Sequence, residues 1–172
     1  VYCRFGTNPA SQSSVPATLH SSTELSCTSP PHASVGTTGE PSIAGGDVAM
    51  SLTLNADHEA YVLSSTNFAY YGDLPTSPTL AVSHVLPVAG PSAGGSLLNV
   101  SGSGFVPLGG VFCRFGQSDR VTSGTVLSPA LIQCHSPSIT SPLGGSPRGS
   151  GQRERVQVTL NDQDYTDSGA SF

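Results

Sequence analysis

Apolar residues along this chain recur at every second position, in short runs. In "SLLNVSGSGF" Leu98 and Val100 alternate with polar neighbours before glycines close the run. "VFCRFG" sets Val111, Cys113 and Phe115 on one face and Phe112, Arg114 and Gly116 on the other. "RVQVTLND" does the same with Val156, Val158 and Leu160, and Asn161-Asp162 then reads as the turn into "QDYT". "AMSLTLNADHEAYVL" has the same form earlier in the chain. No stretch keeps a helical period for more than a turn or two. The pattern predicts short strands separated by turns, an all-β chain of thin sandwiches.

The runs also repeat. "VYCRFG" at residue 1 returns as "VFCRFG" at residue 111, "CTSPP" from Cys27 as "CHSPS" from Cys134, and "SLTLNADHEAY" from Ser51 as "QVTLNDQDY" from Gln157; Phe68 then lines up with Phe172. The order is kept and the spacing drifts by only a few residues, as small loop insertions would produce. A unit of roughly 100 residues is the scale of a small domain rather than a solenoid turn.

Composition narrows the possibilities. The hydrophobic share is 36%, against roughly 45–50% (glycine included) in ordinary domains. With 20 Gly, 14 Pro and no Trp, one thick core is out of reach. The formal charge is -5 and the chain has no Lys, which argues against a nucleic-acid surface and against binding to an anionic membrane. No apolar run approaches the roughly 18 residues of a membrane helix. The chain opens inside a strand-like phrase without an initiator Met, so it reads as a piece of a longer polypeptide with its targeting signals elsewhere.

Cys3, Cys27, Cys113 and Cys134 fall as one pair in each half, without the close spacing of a zinc ribbon. They fit one disulfide per half in an oxidising compartment, Cys3 with Cys27 and Cys113 with Cys134; the alternative is buried free thiols.

From Thr79 the order is strand, Pro, "GPSAGG", strand, "GSGF", a Cys-x-Phe-Gly strand, "IQCHSP" and a "VTLND" hairpin. This order resembles the IPT/TIG domain, the immunoglobulin-like module shared by plexins and several transcription factors, in its extracellular, disulfide-bearing form. The resemblance covers residues 76–172 almost completely and residues 1–72 as the later two-thirds of a unit. It implies two tandem immunoglobulin-like β-sandwiches: 1–72 lacking its N-terminal strands, a Pro-containing linker at 73–78, and a nearly complete second sandwich at 79–172. The first unit's missing strands then lie outside the window, or come from an adjoining chain.

Asn99-Val100-Ser101 is an N-glycosylation sequon with Asn99 on the outward face of its strand. Ser29-Pro30-Pro31, Ser77-Pro78, Ser136-Pro137, Ser141-Pro142 and Ser146-Pro147 resemble tracts that carry O-linked or hydroxyproline-linked glycans; ordinary turn chemistry is the plainer reading of any one of them. The acidic clusters Asn55 to Glu59 and Asn161 to Asp164 read as turns before calcium sites. The five histidines show no ligand spacing. Arg4 and Arg114 recur within the repeated strand and are expected to point outward beside an aromatic or an acid.

No catalytic constellation, cofactor or metal is expected, only covalent glycans. The leading expectation is a non-enzymatic segment of an extracellular or cell-surface glycoprotein: a tandem array acting as spacer, adhesion element or filament subunit. Its partners would be neighbouring units of the same or an adjoining chain, including a homopolymer, with no nucleic acid and no membrane insertion. The alternatives are a ligand-binding ectodomain segment of a plexin-like receptor and, third, an accessory module of a secreted carbohydrate-active enzyme.

Overall fold

The computed structural model describes residues 1–7, 12–31, 47–55, 60–71, 79–116, 120–139, 153–167 and 169–172. The described residues form strands and no helix. They divide into two compact units, Val1–Tyr71 and Gly72–Phe172. The 73–78 linker expected from sequence lies outside the described residues.

Unit 1 has five strands: β1 (Tyr2–Phe5), β2 (Ser13–Leu19), β3 (Leu25–Cys27), β4 (Asp47–Thr53) and β5 (Val62–Ala69). Their hydrogen-bonded order is β3-β2-β1-β4-β5. Cys3, Phe5 and Val48 form the buried centre, with Val15, Leu25, Met50, Phe68 and Tyr70 packed around them.

Unit 2 has seven: β6 (Ala81–Leu86), β7 (Leu97–Ser103), β8 (Phe112–Phe115), β9 (Val121–Ser128), β10 (Leu131–His135), β11 (Arg155–Thr159) and β12 (Ala170–Ser171). Their order is β12-β11-β8-β9-β10-β7-β6. β9 pairs with β8 along its first half and with β10 along its second. β6, at the far end of the order, lies against β11 and β12, so the sheet folds over into an immunoglobulin-like sandwich. The alternating residues named above fill the interior: Leu98, Val100, Cys113, Val156, Val158 and Leu160 are fully buried.

The repeat in sequence is a repeat in strand pairing. Cys3 faces Leu52 across β1–β4 as Cys113 faces Val158 across β8–β11. β2 and β9 each split their pairing between the same two kinds of neighbour. Phe68 is paired with Val48, and Phe172 exchanges both backbone hydrogen bonds with Glu154 at the equivalent place. The repeated glycine has a conformational reason: Gly6 and Gly116 have φ of 89° and 70°, a region that side chains with a Cβ avoid. Their N–H groups close onto Ala49 and Arg155, again equivalent residues.

One expectation does not hold in both copies. Met50, Leu52 and Leu54 stand where Val156, Val158 and Leu160 are buried. Met50 and Leu52 are only half-buried and Leu54 is 66% exposed. In unit 2 β6 packs on β11; the described strands of unit 1 include no counterpart of β6 or β7, so that face has less to pack against. The opposite face of β4 is covered instead, with Ser51 and Thr53 each 2% exposed.

Candidate functional site

The feature common to both units is the stapled strand. Cys3 is joined to Cys27 and Cys113 to Cys134, with Cα–Cα separations of 6.4 Å in each case. Each bridge crosses from the central strand of its unit to a strand that it does not hydrogen-bond, β1 to β3 and β8 to β10. Cys3, Cys113 and Cys134 are buried, Cys27 is half-buried against the core of unit 1, and no free thiol remains.

On the other side of the same strand sits a repeated cation–aromatic pair. The Arg4 guanidinium lies 3.8 Å above the Tyr61 ring and that of Arg114 3.8 Å above the Tyr165 ring. Each guanidinium also bonds β4 or its counterpart: Arg4 Nε donates to Ser51 Oγ at 3.0 Å, and Arg114 donates to Gln157 Oε1 at 2.8 Å. The outward arginines are therefore half-buried under stacking, which leaves little cation free for a ligand. The Tyr165 phenol is pushed above its ordinary value by burial and by Asp162, with Arg114 opposing.

The turn that follows in unit 2 is an asparagine turn. Asn161 Oδ1 accepts from the N–H groups of Gln163 and Asp164 at 3.0 and 2.9 Å, and Asp162 takes φ of 61°. Thr53 and Thr159 donate to Asn55 and Asn161 alike. The acidic side chains here shape a turn. Residues 56–59 lie outside the described residues. Among the described residues no group of three or more His, Cys, Asp or Glu could hold a metal ion.

Asn99 is exposed on β7, its Oδ1 accepting from Gln133 Nε2 at 2.9 Å. The Ser-Pro phrases are not uniformly exposed, against expectation. Ser29 and Pro31 face solvent, but Pro30 is buried, its carbonyl accepting from the Tyr70 hydroxyl at 2.8 Å. Ser136 is 4% exposed, and its Oγ accepts from the Ser96 N–H at 3.0 Å. That hydroxyl is built into the fold and is a poor acceptor for a sugar. Ser77, Pro78, Ser141, Pro142, Ser146 and Pro147 lie outside the described residues.

Sequence reasoning missed a cleft in unit 2 of about 470 Å³, lined by Val88, Pro91, Pro137, Ile139 and Phe172, with Arg153 and Glu154 also on its wall. Glu154 makes an ion pair with Arg120 at 3.9 Å. Gly94, with φ of 80°, presses on the Pro137–Ser138 peptide; a Cβ there would come within 2.6 Å of its backbone. The residues of the cleft come from separate strands and connections, so no local motif announces it.

Against this geometry, a family model of the IPT/TIG domain matches residues 80–172, more than half of the chain. The chain belongs to the IPT/TIG family. Modules of this family are generally non-enzymatic, immunoglobulin-like structural or interaction domains. The match begins beside β6 and runs to the end of unit 2. No curated protein matches the chain.

Proposed function

We propose that this IPT/TIG chain is a structural segment of an extracellular glycoprotein, a tandem array of stapled sandwiches that serves as spacer, adhesion element or filament subunit. The observation that carries this reading is the recurrence in unit 1 of unit 2's central build: the same strand pairings, the same bridge and the same arginine–tyrosine stack. A unit that closes its own core around its own disulfide can be multiplied along a chain without redesign. Two intramolecular disulfides are compatible with an extracellular location. Asn99, exposed on β7, is the proposed N-glycan acceptor, and Ser29 an O-glycan acceptor. The partners are neighbouring units of the same or an adjoining chain. The test is electron microscopy of the native material together with intact-mass analysis. Regular fibres or rods carrying sugar are expected; isolated, unglycosylated monomers would overturn the reading.

A second reading, a ligand-binding segment of a plexin-like receptor, is favoured by one feature. Leu54 and Val62 are 66 and 70% exposed, and the pairing of Val62 with Leu52 puts both on one face of the β4–β5 pair of unit 1. A cluster of exposed apolar side chains is a usual mark of a protein contact. If Val62→Ser abolishes capture of a soluble protein ligand while fibres fail to form, this second reading replaces the first.

A further inference from the structure

In unit 2 the adjacent strands β6, β7, β10 and β9 contain no Asp, Glu, Lys or Arg. Their inward residues, among them Val85, Leu98, Val100 and Ile132, fill the core. Alternation sends Leu86, Leu97 and Leu127 outward, where they are 53, 49 and 52% exposed. Exposed leucines on an uncharged sheet face are the kind of surface on which copies of a chain associate. Asn99 stands in the middle of this face. It is paired with Leu86 on β6 and with Gln133 on β10, and Leu97 precedes it by two residues on the same side of β7. Such Cβ atoms are about 5 Å apart across strands and about 7 Å apart along one, within reach of one N-acetylhexosamine. Asn99 Oδ1 accepts from Gln133 Nε2 at 2.9 Å. The carbonyl side of the carboxamide thus faces β10, and Nδ2, the atom that takes an N-linked sugar, is on the side away from it. The bond is compatible with glycosylation, because a sugar on the nitrogen leaves the carbonyl oxygen an acceptor.

We propose that the N-linked glycan of Asn99 is the cover of this face. Its first N-acetylglucosamine lies on Leu86 and Leu97, and the face is thereby closed to other copies of the chain. The inference rests on the reading of Asn99 as a glycan acceptor. One side of a pyranose ring presents C–H groups, so it removes leucine surface from water while the hydroxyls stay wet. Position favours sugar over a second copy: sheet faces dock when they meet closely, and the sequon sets a bulky chain at the centre of this one. Contacts between units then use other surfaces.

The experiment expresses the full chain in a glycosylating secretory host. It compares the glycoprotein, the glycoprotein trimmed by an endoglycosidase to one N-acetylglucosamine, and Ser101→Ala, which removes the sequon but keeps Asn99. A fourth form adds Leu86→Ser and Leu97→Ser to Ser101→Ala. Peptide mass analysis tests the acceptor reading by itself, and an unoccupied Asn99 overturns both that reading and this proposal. With Asn99 occupied, the trimmed form should show nuclear Overhauser contacts from the sugar to the Leu86 and Leu97 methyls. By sedimentation it should be no more associated than the full glycoprotein. Ser101→Ala should associate at concentrations about tenfold lower, and the two serine substitutions should reverse this. No sugar–leucine contacts at an occupied Asn99, or equal association of Ser101→Ala and the glycoprotein, would overturn the proposal while the acceptor reading stands. Association of the glycoprotein that Leu86→Ser and Leu97→Ser abolish would overturn it too, and make the face a contact between copies.

Discussion

Arg4 and Arg114 show how a single residue type can recur for a local reason. Each guanidinium covers a tyrosine ring and ties it to the neighbouring strand. A double-mutant cycle on Arg114→Ala and Tyr165→Phe or Ala, followed by denaturant unfolding, should give a coupling of about 0.5–1 kcal/mol with Ala and less with Phe. Tyr70 supplies a pH signature. Burial holds its phenol above the ordinary 10.0, so the folded state favours the neutral form. Its contribution is complete below pH 10, the ordinary value, and is lost as pH rises through the higher folded-state value. Alkaline unfolding of unit 1, monitored by tyrosinate absorbance, should therefore lose part of its pH dependence in Tyr70→Phe.

Among the elements, the paired positions Leu54 and Leu160 form an internal control. They occupy the same place in the repeat, yet one is 66% exposed and the other 0%. Leu160→Ala should cost about 2–5 kcal/mol through the cavity it leaves, and Leu54→Ala no more than about 0.5 kcal/mol; chemical denaturation of each variant decides. The contrast also marks what sequence could convey. The alternation of Val156, Val158 and Leu160 and the turn at Asn161-Asp162 were legible because period and turn chemistry are local. The exposure of Leu54 was not, because burial depends on which strands cover a face, and β6 is remote in sequence from β11. The same holds for Ser136: Ser-Pro reads as an exposed tract, but its hydroxyl satisfies the Ser96 N–H. The cleft was illegible for that reason too, being assembled from residues far apart in the chain.

For the whole molecule, the account rests on two units that each carry their own core and staple. Removing one bridge should therefore weaken one unit. The Cys113→Ala, Cys134→Ala double variant should lose about 2–5 kcal/mol in unit 2, while amide exchange in β1 and β4 stays as before. The most direct measurement is the disulfide map of the unreduced protein. Cleavage after Arg4, Glu24, Glu40, Glu59, Arg114 and Arg120 places each cysteine in a separate peptide. Mass spectrometry should then find the Cys3 peptide bound to that of Cys27 and the Cys113 peptide bound to that of Cys134. A bridge from Cys3 or Cys27 to either cysteine of the other unit would contradict the account.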